Sequence, residues 1–460
     1  MNLRSKKVNR SSFALIIVLL LFLFQSYYFV FTTGAGVAPD ENYHLSVSTI
    51  HNKNPYPFVY NTDESYIYGD LENTPFLYHS INGGLINLNF YKLPLIIYLR
   101  LFSPIIGLFS LLTLYKITKL VIQDGLLSVI PGILLTHTLM FTMISGVVSY
   151  DNLTILFSLQ SIYFLLKFME KYNLKYFLLL IIFVCLGSLT KASFLPLAVL
   201  ISLVFLVYTI YTKKYKDLPK FRFEFNKKFN IILFIIASLT LISLVYLYIG
   251  NFLKFGNYLP TCDQVLSHDI CYNRNGVYNR DYNLINNRPP EFTPQPIYTS
   301  FKEWTVLYTK SLFGLLTHKM MFFFKYSLAP FIVVSCLSFI GMLKSKLSYN
   351  KYLISTLFIF TGYVFIAFIY NYLDYVEKGK WIATQGRYIL PVLPLLYVLI
   401  VYYLKQINLS RKYQTALVFI LTLSCFLLSF LYYISEKPSI VDLDWDMVSD
   451  QNHPYSNFMD

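Results

Sequence analysis

The sequence predicts an all-α protein that crosses a membrane about eleven times. Of its 460 residues, 56% are hydrophobic and only 13% are charged, whereas a soluble domain carries about 25% charged residues. Repeated apolar runs reach the roughly 20 residues that a helix needs to cross a bilayer. Basic residues gather between alternate runs, as they do in cytoplasmic loops. This composition excludes a soluble enzyme, a disordered chain and a disulfide-stapled secreted module.

The first apolar run, 13–33, is too long and too aromatic for a cleaved signal peptide, and no A-x-A-like cleavage site follows it. It is therefore interpreted as an uncleaved span. The segment 175–190 is the shortest run, and its boundary with 193–211 leaves ten or twelve spans as alternatives. The other predicted spans are 95–116, 126–146, 153–169, 230–250, 326–343, 352–373, 388–404 and 413–434.

The basic residues predict the orientation of the bundle. Arg4, Lys6, Lys7 and Arg10 precede the first span, which places the N-terminal segment 1–12 in the cytoplasm. Alternation then puts more than half of all Lys and Arg residues in cytoplasmic loops. The net charge of +14 is therefore mostly a topological signal, and it does not indicate nucleic acid as a partner.

Three segments of the polytopic domain 13–434 and its tail are predicted to lie outside: the loops 34–94 and 251–325, and the acidic tail 435–460. The cytoplasmic loops are short and contain no P-loop, so any chemistry should face outward and use a pre-activated substrate or an ion gradient. Cys262 and Cys271 share the second outer loop. The sequence leaves open whether they form a disulfide or remain free thiols.

A charge at a membrane boundary that is not a Lys or Arg flank suggests function. The first such place is Pro39-Asp40-Glu41-x-x-His44, directly after the first span. Proline and acidic residues favour a helix start, and residues four apart share a helical face. Asp40 and His44 could thus be a general base with its helper, or a helix cap with an interfacial histidine.

Three further polar places are predicted on the same side. Asp151 begins the fourth span and could be a site residue or a helix cap. Lys191, in a tight turn, could snorkel to the interface or bind a phosphate. Arg387 suits phosphate recognition, or it anchors the tenth span beside Tyr388. Together they provide one group to activate an acceptor and two cations to stabilise a departing phosphate, as transfer from an anionic lipid-linked donor would need.

These motifs resemble a known set. Pro39-Asp40-Glu41-x-x-His44 and Gln385-Gly386-Arg387-Tyr388-x-x-Pro391 are similar to the signatures of a family of bacterial multipass proteins placed with the GT-C glycosyltransferases. That superfamily includes the protein O-mannosyltransferases and the aminoarabinose transferases. Shorter similarities follow in the same order along the chain: Thr74-Pro75-x-x-Tyr78, Ser149-x-Asp151-Asn152 and Leu189-Thr190-Lys191.

The resemblance implies a GT-C-like fold with a large first outer loop, in the bacterial plasma membrane and in contact with its lipids. It also implies an inverting hexosyl or pentosyl transfer from a polyprenyl-phosphate-linked donor to a glycan, lipid or protein acceptor. Some GT-C relatives use a divalent ion such as Mg²⁺ or Mn²⁺ and others do not, so metal dependence stays open.

Residue roles are carried over by position. Asp40 is the preferred base, and Glu41 would orient the acceptor or a metal ion. Lys191 and Arg387 would hold the lipid phosphate. The supporting residues would be His44, Tyr78, Asp151, Asn152, Gln385 and Tyr388. The alternative is a lipid-linked oligosaccharide flippase or polymerase-type protein, for which charges in mid-span and a repeat between halves are expected.

Overall fold

The structure, a computed structural model, describes residues 10–62, 65–213, 228–316, 321–345, 350–437 and 442. Within them, eight helical segments are long and apolar enough to cross a membrane. They are Arg10–Thr32, Leu95–Ile122, Tyr150–Lys171, Ala192–Tyr211, Lys228–Phe255, Lys325–Lys344, Lys351–Lys378 and Arg411–Glu436. Three shorter apolar helices complete the set: Leu127–Thr136, Leu174–Thr190 and Leu393–Lys405. Each of the eleven predicted spans therefore overlaps an apolar helix.

Several spans are assembled from shorter pieces. The second consists of Leu95–Arg100 and Ser103–Ile122. The last consists of Arg411–Cys425, a π-helical turn at Phe426–Leu431, and Tyr432–Glu436. Short 3₁₀ turns precede four helices, at Leu127–Val129, Ala192–Phe194, Lys325–Leu328 and Gly386–Ile389.

The third predicted span, 126–146, differs most from expectation. Its helix Ile130–Thr136 ends at His137, and a second helix, Leu139–Ile144, follows. At the break, the Thr138 hydroxyl is 2.8 Å from the Tyr397 hydroxyl. This whole segment is buried. Non-helical backbone at membrane depth is tolerated where protein rather than lipid surrounds it, which explains how the break persists.

Both long loops predicted to lie outside are helical. The first contains Glu41–Lys53, the 3₁₀ turn Ser65–Tyr68 and Leu77–Ile86. The second contains Cys262–Val265, His268–Arg274, Gly276–Asn286 and Ile297–Leu312. A short antiparallel pair follows, in which Gly314–Leu316 faces Met321–Phe323. The predicted N-terminal segment 1–12 and the tail 435–460 lie mostly outside the described residues.

The fourth span is the most enclosed of the eight long segments. Of its apolar window, 72% is buried, against 22% for Lys228–Phe255. It packs between Leu174–Thr190 and Ser103–Ile122. A polar residue at the start of this helix therefore lies in the protein interior, which places Asp151 among other protein groups and away from lipid.

Candidate active site

Four of the predicted polar residues meet at one end of the bundle, called here the site end. Arg387 Nη2 lies 2.5 Å from Asp40 Oδ2, and Lys191 Nζ lies 2.5 Å from Asp151 Oδ1. Arg387 Nη1 is 3.6 Å from Asp151 Oδ2 and links the two pairs. The result is a row of alternating charges, Asp40–Arg387–Asp151–Lys191, called here the charge row.

Asp40 precedes the loop helix Glu41–Lys53 in an unusual backbone conformation. Its φ is 62° and its side chain makes no capping hydrogen bond. The prediction of a helix start here is correct, but the carboxylate turns away from the helix. It is 34% exposed, the largest exposure in the charge row, so it can reach both Arg387 and solvent.

Asp151 does not cap the fourth span. Ser149 does so, because its hydroxyl accepts the Asp151 amide N–H at 3.2 Å. The Asp151 carboxylate is therefore available to form its salt bridge with Lys191. The Lys191 ammonium also lies 4.3 Å from the centre of the Tyr150 ring and 4.7 Å from that of Tyr388, a cation–π sandwich. Lys191 is buried, so it points into the protein and not toward a membrane surface.

Arg387 is placed by the turn Gly386–Ile389. The Gly386 amide donates to Ser311 Oγ at 2.6 Å, and a Cβ at Gly386 would lie within 3 Å of Ser311 and Leu312. Glycine is therefore required for this close approach. Arg387 is buried, and its Nη1 donates to the Pro39 carbonyl at 3.3 Å. The turn thus brings the tenth span against the first loop.

Several polar atoms around the charge row are buried and have no hydrogen-bond partner in the described part of the chain. They are Arg387 Nε, Asp151 Oδ2, Gln385 Oε1 and His44 Nε2. Buried polar groups in native proteins are usually paired. This cluster of unsatisfied atoms therefore has unused capacity to bind a polar ligand or water.

His44, the predicted helper of Asp40, lies behind the charge row. Its ring is 4.2 Å from that of Tyr150 and 5.7 Å from that of Tyr78, and its Nδ1 is 3.0 Å from His79 Nε2. Burial lowers the pKa of His44 to about 3, although Asp40 acts in the opposite direction. A neutral imidazole in this place can support the site but cannot readily carry a proton.

Glu41 and Asn152 face away from the charge row. Glu41 is fully buried and forms a salt bridge with Arg100, whose Nη2 lies 2.6 Å from Glu41 Oε2. The Asn152 amide donates to the Ser103 carbonyl at 2.6 Å and ties two spans together. The Glu41 carboxylate and the Asn152 carboxamide both bind groups of the protein itself. This favours a role in positioning the helices over contact with a substrate.

Sequence reasoning did not identify Arg100, Tyr150 or His79. Arg100 had a usable signal, since it is a charge in the apolar run 95–116 that lies far from the basic residue at the end of that run, Lys116. Tyr150 and His79 had none, because aromatic and histidine side chains are common in loops and spans. Their roles depend on contacts with Lys191 and His44 that only the folded chain creates.

The residues of the site do not fit a divalent metal ion. In the described ranges, no group of three His, Cys, Asp or Glu side chains could hold one. The two carboxylates of the charge row each face a cation, Arg387 or Lys191. An added divalent ion would meet both positive charges at close range, so no step is assigned to a metal.

The second loop contacts the site end, where Ser311 accepts the Gly386 amide N–H. A disulfide links two of the residues of this loop. Cys262 and Cys271 form a disulfide with Cα atoms 5.8 Å apart. Asp281 binds Lys378 at 2.9 Å and fastens the loop to the long span Lys351–Lys378. Asn275 Nδ2 lies 3.6 Å from the position of a Cβ at Gly69 in the first loop. The two loops therefore contact each other.

Comparison with known proteins shows what the chain is similar to. The family model of dolichyl-phosphate-mannose-protein mannosyltransferases matches residues 95–221, a minority of the chain. No curated protein matches the sequence. In fold, the chain is GT-C-like, as the sequence predicts, and this likeness is one of fold alone.

The fold is like that of ArnT from Cupriavidus metallidurans. The crystal structure of ArnT bound to undecaprenyl phosphate superimposes with a TM-score of 0.52 at 13% identity, covering 97% of this chain and 67% of that one. The apo crystal structure of the same protein gives a TM-score of 0.50 at 12% identity, covering 98% and 68%.

Proposed function

We propose that the protein transfers a sugar from a polyprenyl-phosphate-linked donor to a cell-envelope glycan, lipid or protein, with inversion, at the outer face of a bacterial plasma membrane. The observation that carries this proposal is the charge row, in which two buried cations and two carboxylates from four distant segments meet at one end of the bundle. The crystal structure of ArnT with undecaprenyl phosphate supports the choice of donor.

Lys191 and Arg387 bind the donor phosphate. Lys191 supplies a point charge held between two aromatic rings, and Arg387 supplies a planar fork suited to phosphate oxygens. Both cations are paired with carboxylates before the donor binds. The phosphate therefore competes with Asp40 for Arg387, and it gains the unpaired Arg387 Nε as a further donor. The polyprenyl tail lies along apolar helix surfaces such as Lys228–Phe255.

Binding of the donor prepares Asp40 as the base. A carboxylate that loses an adjacent guanidinium becomes more basic, because the opposite charge that stabilised its ionised form is withdrawn. Asp40 then takes the proton of the acceptor hydroxyl, and the hydroxyl oxygen bonds to the anomeric carbon from the face opposite the phosphate. The bond between that carbon and the phosphate oxygen breaks, and its electron pair leaves with the phosphate.

The remaining groups complete the cycle. Lys191 and Arg387 neutralise the departing polyprenyl phosphate. Asp40, one third exposed, returns its proton to water. Asp151 keeps the Lys191 ammonium in place between the Tyr150 and Tyr388 rings. The neutral His44 packs behind Tyr150 and keeps this wall of the site dry.

The test is the Asp40→Asn variant reconstituted in vesicles with a panel of polyprenyl-phosphate hexoses and pentoses and with a bacterial envelope extract that supplies the acceptor. Loss of a general base lowers the rate by about 10²–10⁴-fold, so release of free polyprenyl phosphate should fall by that factor. Asp281→Asn, in an ion pair of the second loop, is the matched control and should keep its rate. Normal turnover by a folded Asp40→Asn protein would remove Asp40 from this role.

The same assay separates the transferase from the flippase alternative. A flippase moves the intact donor between leaflets and releases no free polyprenyl phosphate. Accumulation of the intact donor in the opposite leaflet, without such release, would favour the flippase.

A further inference from the structure

Arg100 is a charged residue in an otherwise apolar stretch. It ends the helix Leu95–Arg100, and its chain neighbours are Leu99 and Leu101. Its side chain is fully buried. A charge inside a span is costly, and it usually marks a paired or functional group.

The Arg100 guanidinium uses all of its five N–H donors. Nε and Nη2 hold the two oxygens of Glu41 at 2.7 and 2.6 Å. Nη1 donates to the carbonyls of Val30 and Thr33 at 3.2 and 2.7 Å. Nη2 also donates to the Gly34 carbonyl at 3.2 Å. One side chain therefore binds both the end of the first span and the beginning of the loop helix.

Glu41 extends this arrangement toward the fourth span. Its Oε1 accepts the Val148 amide N–H at 2.9 Å, three residues before Asp151. The Glu41 carboxylate thus joins the loop helix, the second span and the segment that leads to the other carboxylate of the charge row.

Asp40 lies between the two parts that Arg100 binds. Its φ of 62° falls in the left-handed region, which non-glycine residues seldom adopt because Cβ approaches the backbone. Such a conformation persists only where the surroundings hold it. The next residue, Glu41, is the one held by Arg100.

We propose that Arg100 and Glu41 are a positioning pair that fixes the backbone of Asp40 and thereby directs its carboxylate toward the charge row. The inference rests on the proposed role of Asp40 as the base. Buried ion pairs can often be replaced by apolar residues without loss of stability. A contribution to stability alone therefore does not explain why Arg100 and Glu41 are present with this set of hydrogen bonds.

The first test measures the backbone directly by hydrogen–deuterium exchange of the whole protein. Arg100→Lys keeps the charge but lacks the fork that binds Glu41 and three carbonyls. It should speed exchange of the amides at 41–44 about tenfold or more, since His44 N–H bonds to the Asp40 carbonyl at 2.9 Å. Gln25→Leu, which removes the buried contact with His137 at 3.2 Å elsewhere on the first span, should leave these amides unchanged. Unchanged exchange in Arg100→Lys would overturn the proposal.

The second test measures sugar transfer in the same two variants, per folded molecule. A misplaced base costs up to about 100-fold in rate. Arg100→Lys should therefore lower kcat about 10–100-fold and leave the donor KM within about twofold, because Lys191 and Arg387 are intact. Equal kcat losses in Arg100→Lys and Gln25→Leu would contradict positioning. Absence of sugar transfer by the wild-type protein would contradict the proposed function. The hydrogen–deuterium exchange result would still show whether Arg100 and Glu41 fix the backbone of Asp40.

Discussion

Two ionic centres lie side by side at the site end, and they differ in how completely their hydrogen bonds are satisfied. In the Glu41–Arg100 pair both side chains are fully buried and every guanidinium donor is used. In the charge row, Asp40 is 34% exposed, while Arg387 Nε and Asp151 Oδ2 have no hydrogen-bond partner. The Arg100 guanidinium therefore has no N–H donor left for a ligand. The incomplete centre has donors and charges available for a substrate.

Two neighbouring carboxylates thus have different surroundings, and the roles proposed for them differ accordingly. Asp40 and Glu41 are adjacent in the chain, and both are acidic residues at the start of one helix. One faces a partly open cation and the other is enclosed by a guanidinium. If the proposed roles hold, completeness of pairing, more than charge or position in a motif, separates a reactive carboxylate from a structural one.

The largest expected effect is on stability and concerns the saturated centre. Arg100→Met leaves Glu41 as an unpaired buried charge, which costs about 3–5 kcal/mol. Lys191→Met in the charge row should cost less, because Asp151 keeps Arg387 as a second cation 3.6 Å away. Thermal unfolding of both variants in the same detergent and lipid checks this order. Equal losses would remove the distinction between the two centres.

The next effect is on donor use and concerns the incomplete centre. Arg387→Lys keeps the charge but loses the planar fork, and a hydrogen bond to a charged group is worth about 1.5–3 kcal/mol. The donor KM should therefore rise about 10–100-fold. The matched control is Arg411→Lys, at an exposed arginine that pairs with Asp124 away from the site. Steady-state kinetics should show an unchanged KM for that variant, and a similar rise in both would contradict a phosphate role for Arg387.

A smaller effect follows from the histidines of the first loop. The pKa of His44 is about 3 in the folded protein, against about 6.5 in an unfolded chain. Because the unfolded state binds a proton that the folded state excludes, stability falls as the pH drops below 6.5. At pH 5 the loss is about 2 kcal/mol for His44 alone.

Unfolding temperatures measured between pH 7 and pH 5 test this effect. His44→Gln should flatten the decline, and replacement of the exposed His268 by Gln should leave it as in the wild type. A His44→Gln protein that loses stability on acidification as steeply as the wild type would contradict the buried neutral imidazole.

The fold could be predicted from the sequence because hydropathy is a local property. All eleven apolar runs overlap helices, although three of these helices are short. The break at His137 and Thr138 was not predictable, because it depends on burial and on the contact with Tyr397, 259 residues away. The local hydropathy pattern indicates which segments are apolar. Tertiary contacts determine which of these segments form one continuous helix.

The candidate site was predictable to the extent that charges at a membrane boundary are unusual. Asp40, Asp151, Lys191 and Arg387 were identified in this way, and they meet in the structure. The partner of Glu41 was not identified in this way, since Arg100 lies 59 residues away and no spacing rule connects the two residues. Conformation, burial and partner decide the role of each carboxylate, and these appear only in the folded chain.

In the proposed mechanism, a donor phosphate and Asp40 compete for Arg387. The most direct test is the affinity of the purified protein for undecaprenyl phosphate in the wild type, Asp40→Asn and the control Asp281→Asn. Removal of the competing carboxylate should leave Asp40→Asn with equal or up to about tenfold tighter binding, since opposite charges at this range interact strongly in a partly buried site. Asp281→Asn should match the wild type. Weaker binding by a folded Asp40→Asn protein would contradict the account.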